Sequence, residues 1–227
     1  MIEYFAKNYY TVPIQIILNL IFIIASVINF RKLTSLKILL PYAILSLLQS
    51  IIGVYLNSYV PYSLKIEKIL ESTINIFMLM EFTLFYAYII SIFKNRQKVR
   101  RVLVVVLIIY TIAIFWNWYF TDSFRQAPSS FTIIESYLII VACLFYYLDL
   151  FYNSIPIPIS ANPQFWTITG MLLLFAFLTP LTLQLDNIYK NFFPIYNPLY
   201  SLNFVGYSLL FIFLIISLRC QIKIMTW

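Results

Sequence analysis

Residues 102–120 read VLVVVLIIYTIAIFWNWYF. No charge interrupts them, and Val102–Tyr110 is apolar without a break. A bilayer core is crossed by roughly 20 predominantly apolar residues in a helix, because lipid offers backbone amides no partner outside the segment. The same reading, carried outward, finds seven such stretches: about 11–30, 37–58, 70–93, 102–120, 131–152, 164–183 and 198–218. The alternating pattern of a membrane β-barrel is absent. The expected fold is an all-α integral membrane protein, a seven-transmembrane-helix bundle forming one transmembrane domain over residues 1–227. Composition agrees: 63% of residues are hydrophobic, 10% are charged and the mean hydropathy is +0.90. A soluble domain carries about a quarter charged residues. Segment 1 follows an acidic start, Met1-Ile2-Glu3, and no A-x-A-like site ends it, so it reads as a retained helix rather than a signal peptide.

Several chemistries are excluded at once. The chain has no histidine, which removes Ser-His-Asp and Cys-His catalysis and histidine-ligated metals. Cys143 and Cys220 lie on different segments without CxxC spacing, and three glycines provide no phosphate-cradling loop. Neither an enzyme nor a cofactor is expected. The net charge of +7 comes from alternate connections rather than a nucleic-acid surface. Arg31, Lys32 and Lys37 join segments 1 and 2; Lys94, Arg96, Lys98, Arg100 and Arg101 join segments 3 and 4; Arg219 and Lys223 follow segment 7. Lys7, Lys65, Lys68, Arg125 and Lys190 fall in the other connections, most of them near an acid. The positive-inside rule then places the N-terminus outside and the C-terminus in the cytoplasm of a cell inner membrane. The connection at 153–163 has no positive charge and is the weakest point of that topology. Basic loops of this kind attract anionic lipid. Aromatic clusters at Tyr4–Tyr10, Trp116–Phe120 and Phe192–Tyr200 read as an interfacial belt.

A carboxylate in hydrocarbon costs several kcal/mol, so intramembrane acids are functional candidates. Glu71 opens segment 3 beside Lys65 and Lys68 and reads as an interfacial ion pair. Glu81 lies ten residues further on, roughly 15 Å deeper and close to the midplane, with no basic residue within a turn of its own helix. It must carry a proton, pair across the bundle or meet water. Glu135 falls in the outer third of segment 5. Gln15, Asn19, Ser46, Gln49, Ser50, Asn75, Thr179, Thr182, Gln184, Asn203 and Ser208 put neutral polar groups mainly in the outer half. The inner halves are drier, with Tyr146, Tyr147, Thr167 and Thr169 as exceptions. Such residues often only glue helices together. Their distribution nevertheless points to an outward-opening polar cavity around Glu81, with Glu135, Gln49, Asn75 and Asn203 as binding residues for a ligand or ion. Pro180, late in segment 6, frees a carbonyl and makes that helix a candidate moving part. Pro163 opens the same segment near its first turn, where proline is well tolerated.

Four stretches carry a resemblance: Asn75-Ile-Phe-Met-Leu-Met-Glu81-Phe82, Ile134-Glu135-Ser136 followed by Phe145-Tyr146-Tyr147, Asn162-Pro163-Gln164-Phe165-Trp166 with Gly170, and Leu202-Asn203. With these the chain resembles, over nearly its full length, an uncharacterised family of small seven-transmembrane-helix proteins of Bacteroidetes. The resemblance implies an orphan sensor or receptor-like protein that works beside a signalling partner; Pro180 and the threonines of segment 6 depart from the family's apolar, aromatic run. The expected function is therefore a membrane sensor. It would take a small-molecule or lipid ligand from the outer side and signal through a separate membrane or signalling protein, since the tail after Arg219 is too short to be an output domain. A proton- or cation-coupled transporter or channel is the alternative, although no internal repeat is evident. A structural subunit of a membrane complex is a further one. A retinal photoreceptor is rejected, because segment 7 has no lysine for a Schiff base.

Overall fold

The computed structural model describes the backbone of residues 11–59, 64–121, 129–153, 158–191 and 193–224. It describes their side chains outside 11–12, 54, 56–59, 64–68, 70–71, 121, 129–130, 181–191 and 193–203. The described backbone is helical: α1 Thr11–Ile28, α2 Leu39–Tyr59, α3 Leu64–Ile92, α4 Gln97–Thr121, α5 Ser129–Tyr152, α6 Pro163–Asn191 and α7 Phe193–Ile224. Short 3-10 turns at Phe30–Lys32, Ser35–Ile38 and Ile159–Ala161 complete the connections. Among the described residues, six helices are long and apolar enough to cross a membrane, and the described side chains of α1 form a shorter apolar stretch, Pro13–Ile28. A multi-pass membrane bundle follows from these lengths and from the many large apolar side chains turned outward, such as Val102, Val105, Ile108, Ile109, Ile112 and Phe115 on α4.

Most ends that differ from the sequence expectation extend beyond it, although α1 stops at Ile28 and α2 starts at Leu39, each about two residues short. α3, α6 and α7 run several residues past their apolar cores, to Leu64, Asn191 and Ile224. Hydropathy ends where the hydrocarbon ends, whereas backbone hydrogen bonding continues until a cap or breaker stops it. α6 shows the opposite control. Asn162 caps it by accepting from the Gln164 N–H at 2.9 Å, and Pro163 takes the first helical position, where its missing N–H costs nothing.

Packing departs from chain order at two contacts, α1 with α7 and α3 with α5, while α5 also lies against α6. α3 is the central helix, flanked by α2, α4 and α5, while α6 and α7 form the closest pair and α1 lies against α2 and α7. α4 sits at the periphery. α3 and α5 are therefore neighbours running in the same direction. Thr132 meets the Met78 sulfur at 3.2 Å, and two turns further along the Tyr86 hydroxyl donates to the Leu138 carbonyl at 3.1 Å. The intimacy of α6 with α7 is set by glycine. A Cβ on Gly170 would stand 2.9 Å from the Phe213 Cβ, and one on Gly206 would stand 3.2 Å from a Leu174 methyl. Small residues let membrane helices approach in this way, where lipid leaves no hydrophobic drive.

One end of the bundle collects Arg31, Lys32, Lys37, the residues from Lys94 to Arg101, and Arg219 with Lys223. Two contacts tie this basic end together. Arg96 pairs with Asp149 at 3.2 Å, and the Gln221 amide donates to the Thr34 hydroxyl. The stretch Pro158–Asn162 reaches the same end: Trp166 donates to the Ser160 carbonyl at 2.8 Å, beside the Cys220 thiol. The described part of the uncharged connection, residues 158–162, thus lies among the positive residues of its neighbours.

Candidate functional site

Aromatic contacts fix the relative depth of the helices. Tyr42 of α2 stands against Phe85 of α3 at 4.5 Å and stacks on Phe211 of α7 at 6.1 Å. Phe211 meets Phe22 of α1 at 6.3 Å, and Phe85 meets Phe175 of α6 edge-on at 5.8 Å. All five rings are essentially fully buried. They form a plug contributed by five helices.

One turn away from this plug, toward the end opposite the basic residues, every helix carries a polar side chain. These are Asn19 on α1, Ser46 on α2, Glu81 on α3, Thr179 on α6 and Tyr207 on α7, each three or four residues from its plug ring. Glu135 of α5 joins them, since it lies midway between Thr132 and Leu138, which mark the level of Met78 and Tyr86 on α3. Tyr110 of α4 completes the layer: its ring lies 3.9 Å from that of Phe82, and its hydroxyl donates to the Phe131 carbonyl at 3.3 Å. The two acids are the centre of this belt, with Glu81 4% and Glu135 1% exposed. They are close enough to feel each other's charge. Tyr42 and Tyr207 face Glu81, and Tyr110 faces Glu135. The Tyr42 hydroxyl approaches Glu81 without reaching hydrogen-bond geometry, and Glu81 Oε1 and both Glu135 oxygens accept no hydrogen bond from the described residues. No described lysine or arginine stands at this level; all of them belong to the basic end.

The acids expected at different depths are therefore level. Counting from the start of an apolar run put Glu135 in the outer third, but α5 begins deeper in the bundle than α3 does, its Thr132 already meeting Met78. Asn75 is buried one and a half turns from Glu81 on the side away from the plug, and Gln49 is half-buried near the belt. The Asn203 side chain lies outside the described residues, as do Glu71, Thr182 and Gln184. Tyr42, Tyr110 and Tyr207 are the site residues that sequence reasoning missed. Each is a lone tyrosine in an aromatic-rich chain, and only its neighbours across the bundle reveal its direction.

On the other side of the plug the bundle carries more polar groups than its hydropathy implies; several are bonded to one another, while the Ser26 and Tyr88 hydroxyls and the Gln221 side-chain carbonyl oxygen are buried without a partner among the described residues. Ser217 donates to the Pro163 carbonyl at 2.6 Å and accepts from Thr167 at 2.8 Å. Tyr147 and Thr169 share a 2.7 Å hydrogen bond, and the Asn162 amide donates to Tyr146 at 3.4 Å. These bonds join α5, α6 and α7 below the plug. They fasten the basic end, whereas the belt above offers unsatisfied carboxyl oxygens. Among the described residues, no three histidine, cysteine, aspartate or glutamate side chains gather to hold a metal.

Comparison with protein-family models, with curated proteins and with solved structures finds no match to this chain.

Proposed function

We propose that the protein is a membrane sensor or receptor-like protein whose ligand enters from the outer side and acts at the belt around Glu81 and Glu135. It sits in a cell inner membrane, N-terminus outside and basic end in the cytoplasm, as the distribution of lysine and arginine supports. The observation that carries the reading is the order of layers: two buried acids with unsatisfied oxygens lie on one side of an aromatic plug, and hydroxyls bonded between α5, α6 and α7 lie on the other. A ligand at the belt is separated from the cytoplasmic end by rings that five helices share. Its binding is felt there as a shift of α6 and α7, not as passage of matter. A separate membrane or signalling partner reads that shift at the basic end. The resemblance to sensor-like seven-helix proteins fits this reading.

The test is thiol labelling of intact spheroplasts with a membrane-impermeant maleimide, in a background with Cys143 and Cys220 replaced by serine. Cysteine at Asn19 or Ser46 is expected to label from outside, and cysteine at Thr169 or Ser217 is not. Equal protection of all four positions refutes an outward-facing site.

A second reading, cation- or proton-coupled transport, is favoured by one observation: two acids of neighbouring helices share a level, as a coupling site requires. Pyranine-loaded proteoliposomes that acidify under a pH gradient, and stop doing so in Glu81→Gln, would establish it over the sensor.

A further inference from the structure

The belt holds several buried oxygens that have no partner among the described residues. Glu81 Oε1, Glu135 Oε1 and Oε2 and the Tyr42 hydroxyl are all buried and all without a hydrogen bond within the described structure. They come from α2, α3 and α5 and meet at one level. Tyr42 is fully buried, and its position between Phe77, Phe85 and Phe211 leaves its hydroxyl directed at Glu81. Both Asn19 side-chain polar atoms are likewise buried and unbonded on the α1 turn at this depth. A proton shared between two carboxyls engages two of these oxygens, and the Tyr42 O–H can engage one more. A bare cation engages several acceptors at once.

The chemistry of the donors narrows the cation. Every candidate atom is a hard oxygen, and thiolate and imidazole are absent from the belt, so a soft or transition metal is disfavoured. Calcium takes six to eight oxygens, typically with several carboxylates, and the belt supplies two acids. One monovalent cation and one proton together offset two carboxyl charges. The rings packed around the acids, with Phe82 and Tyr110 centroids 3.9 Å apart, favour an ion over an organic ammonium group.

We infer that Glu81, Glu135 and Tyr42 form a binding site for a single sodium ion at the centre of the bundle. This deepens the sensor reading and rests on it for the route of entry: the ion reaches the belt from outside and is held above the aromatic plug. Bound sodium draws α2, α3 and α5 together and so sets the packing that the basic end reports.

The experiment is thermal unfolding of the purified full-length protein in detergent, with sodium chloride exchanged for choline chloride at constant ionic strength, and with potassium and lithium as further arms. Sodium at ten times its dissociation constant is expected to raise the midpoint by about 3–6 °C over choline. Glu135→Gln should abolish the sodium shift. Tyr42→Phe, which keeps the ring in place and removes one oxygen, should raise the half-saturating sodium concentration severalfold. If a glutamate variant does not fold, Tyr42→Phe still decides the matter. Equal midpoints in sodium and choline overturn the site, as does a sodium shift unchanged in Tyr42→Phe and Glu135→Gln. Stabilisation by acidification alone, without sodium dependence, also overturns it and assigns the acids to a proton. Outside labelling of Asn19→Cys without a sodium shift removes the ion and keeps the outward site. A sodium shift without labelling supports the ion site and removes the outward entry.

Discussion

The three glycines form a graded test of how α6 and α7 are held together. Replacing each with alanine adds one methyl and gives the same helix-propensity gain, about 0.5–1 kcal/mol over glycine. The contacts of that methyl differ. At Gly53 nothing lies within 4 Å, so Gly53→Ala should be neutral or stabilising by up to that gain. At Gly206 the nearest atom is the end of the Leu174 side chain at 3.2 Å, which can swing aside, and the two effects should nearly cancel. At Gly170 the methyl would stand 2.9 Å from the Phe213 Cβ and 3.5 Å from the Leu210 Cα. Those atoms move only with their backbone, so α7 must back away. Overpacking of this kind costs about 1–3 kcal/mol, leaving a net loss of roughly 0.5–2 kcal/mol after the propensity gain. For a chain of this size each kcal/mol is worth about 2–4 °C in midpoint. Thermal unfolding of the three purified variants in one detergent measures the series. A Gly170→Ala protein as stable as Gly53→Ala would refute the close approach of α6 to α7.

Other outcomes follow from single contacts, each read by the same unfolding assay. Ser217→Ala removes the donor to the Pro163 carbonyl and the acceptor for Thr167, and should cost about 1–3 kcal/mol. Phe85→Ala opens the plug where Tyr42 and Phe175 meet; a loss of about 3–5 kcal/mol is expected, and a loss below 1 kcal/mol would mean the rings do not pack as described. Asn162→Ala removes the cap of α6 and should cost about 0.5–2 kcal/mol, with Asn162→Asp recovering most of it. Arg96→Gln breaks the pair with Asp149, but both side chains are more than a third exposed, so the change should stay within about 1 kcal/mol and vanish in high salt.

The membrane class was legible because hydrophobic length is a one-dimensional property: a run such as 102–120 states its length without reference to any other segment. The N-terminal cap of α6 was equally local, since Asn162-Pro163 carries its own geometry. The site was legible only in part. Glu81 and Glu135 stood out as acids in apolar runs, but nothing in their spacing says that α5 packs beside α3 while α4 lies outside. Depth counted along one helix ignores where the neighbouring helix begins, which is why Glu135 was expected nearer the surface. Tyr147, Thr167 and Thr169 read as scattered polar exceptions, because their partners, Thr169 for Tyr147 and Ser217 for Thr167, lie 22 and 50 residues away in sequence.

The parallel pairing of α3 and α5 also sets a clock on biosynthesis. Two helices that run the same way cannot close as a hairpin; α4 must be made and inserted before the second can be laid beside the first. Glu135 follows Glu81 by 54 residues, and at about 5–20 residues per second the ribosome needs roughly 3–11 s to supply it. Tyr207 emerges later still. During that interval Glu81 is already in the insertion machinery or the bilayer with its neighbours unmade. The sequence around it must therefore partition as a membrane helix unaided, and the apolar residues from Ile74 to Ile92 supply that independence.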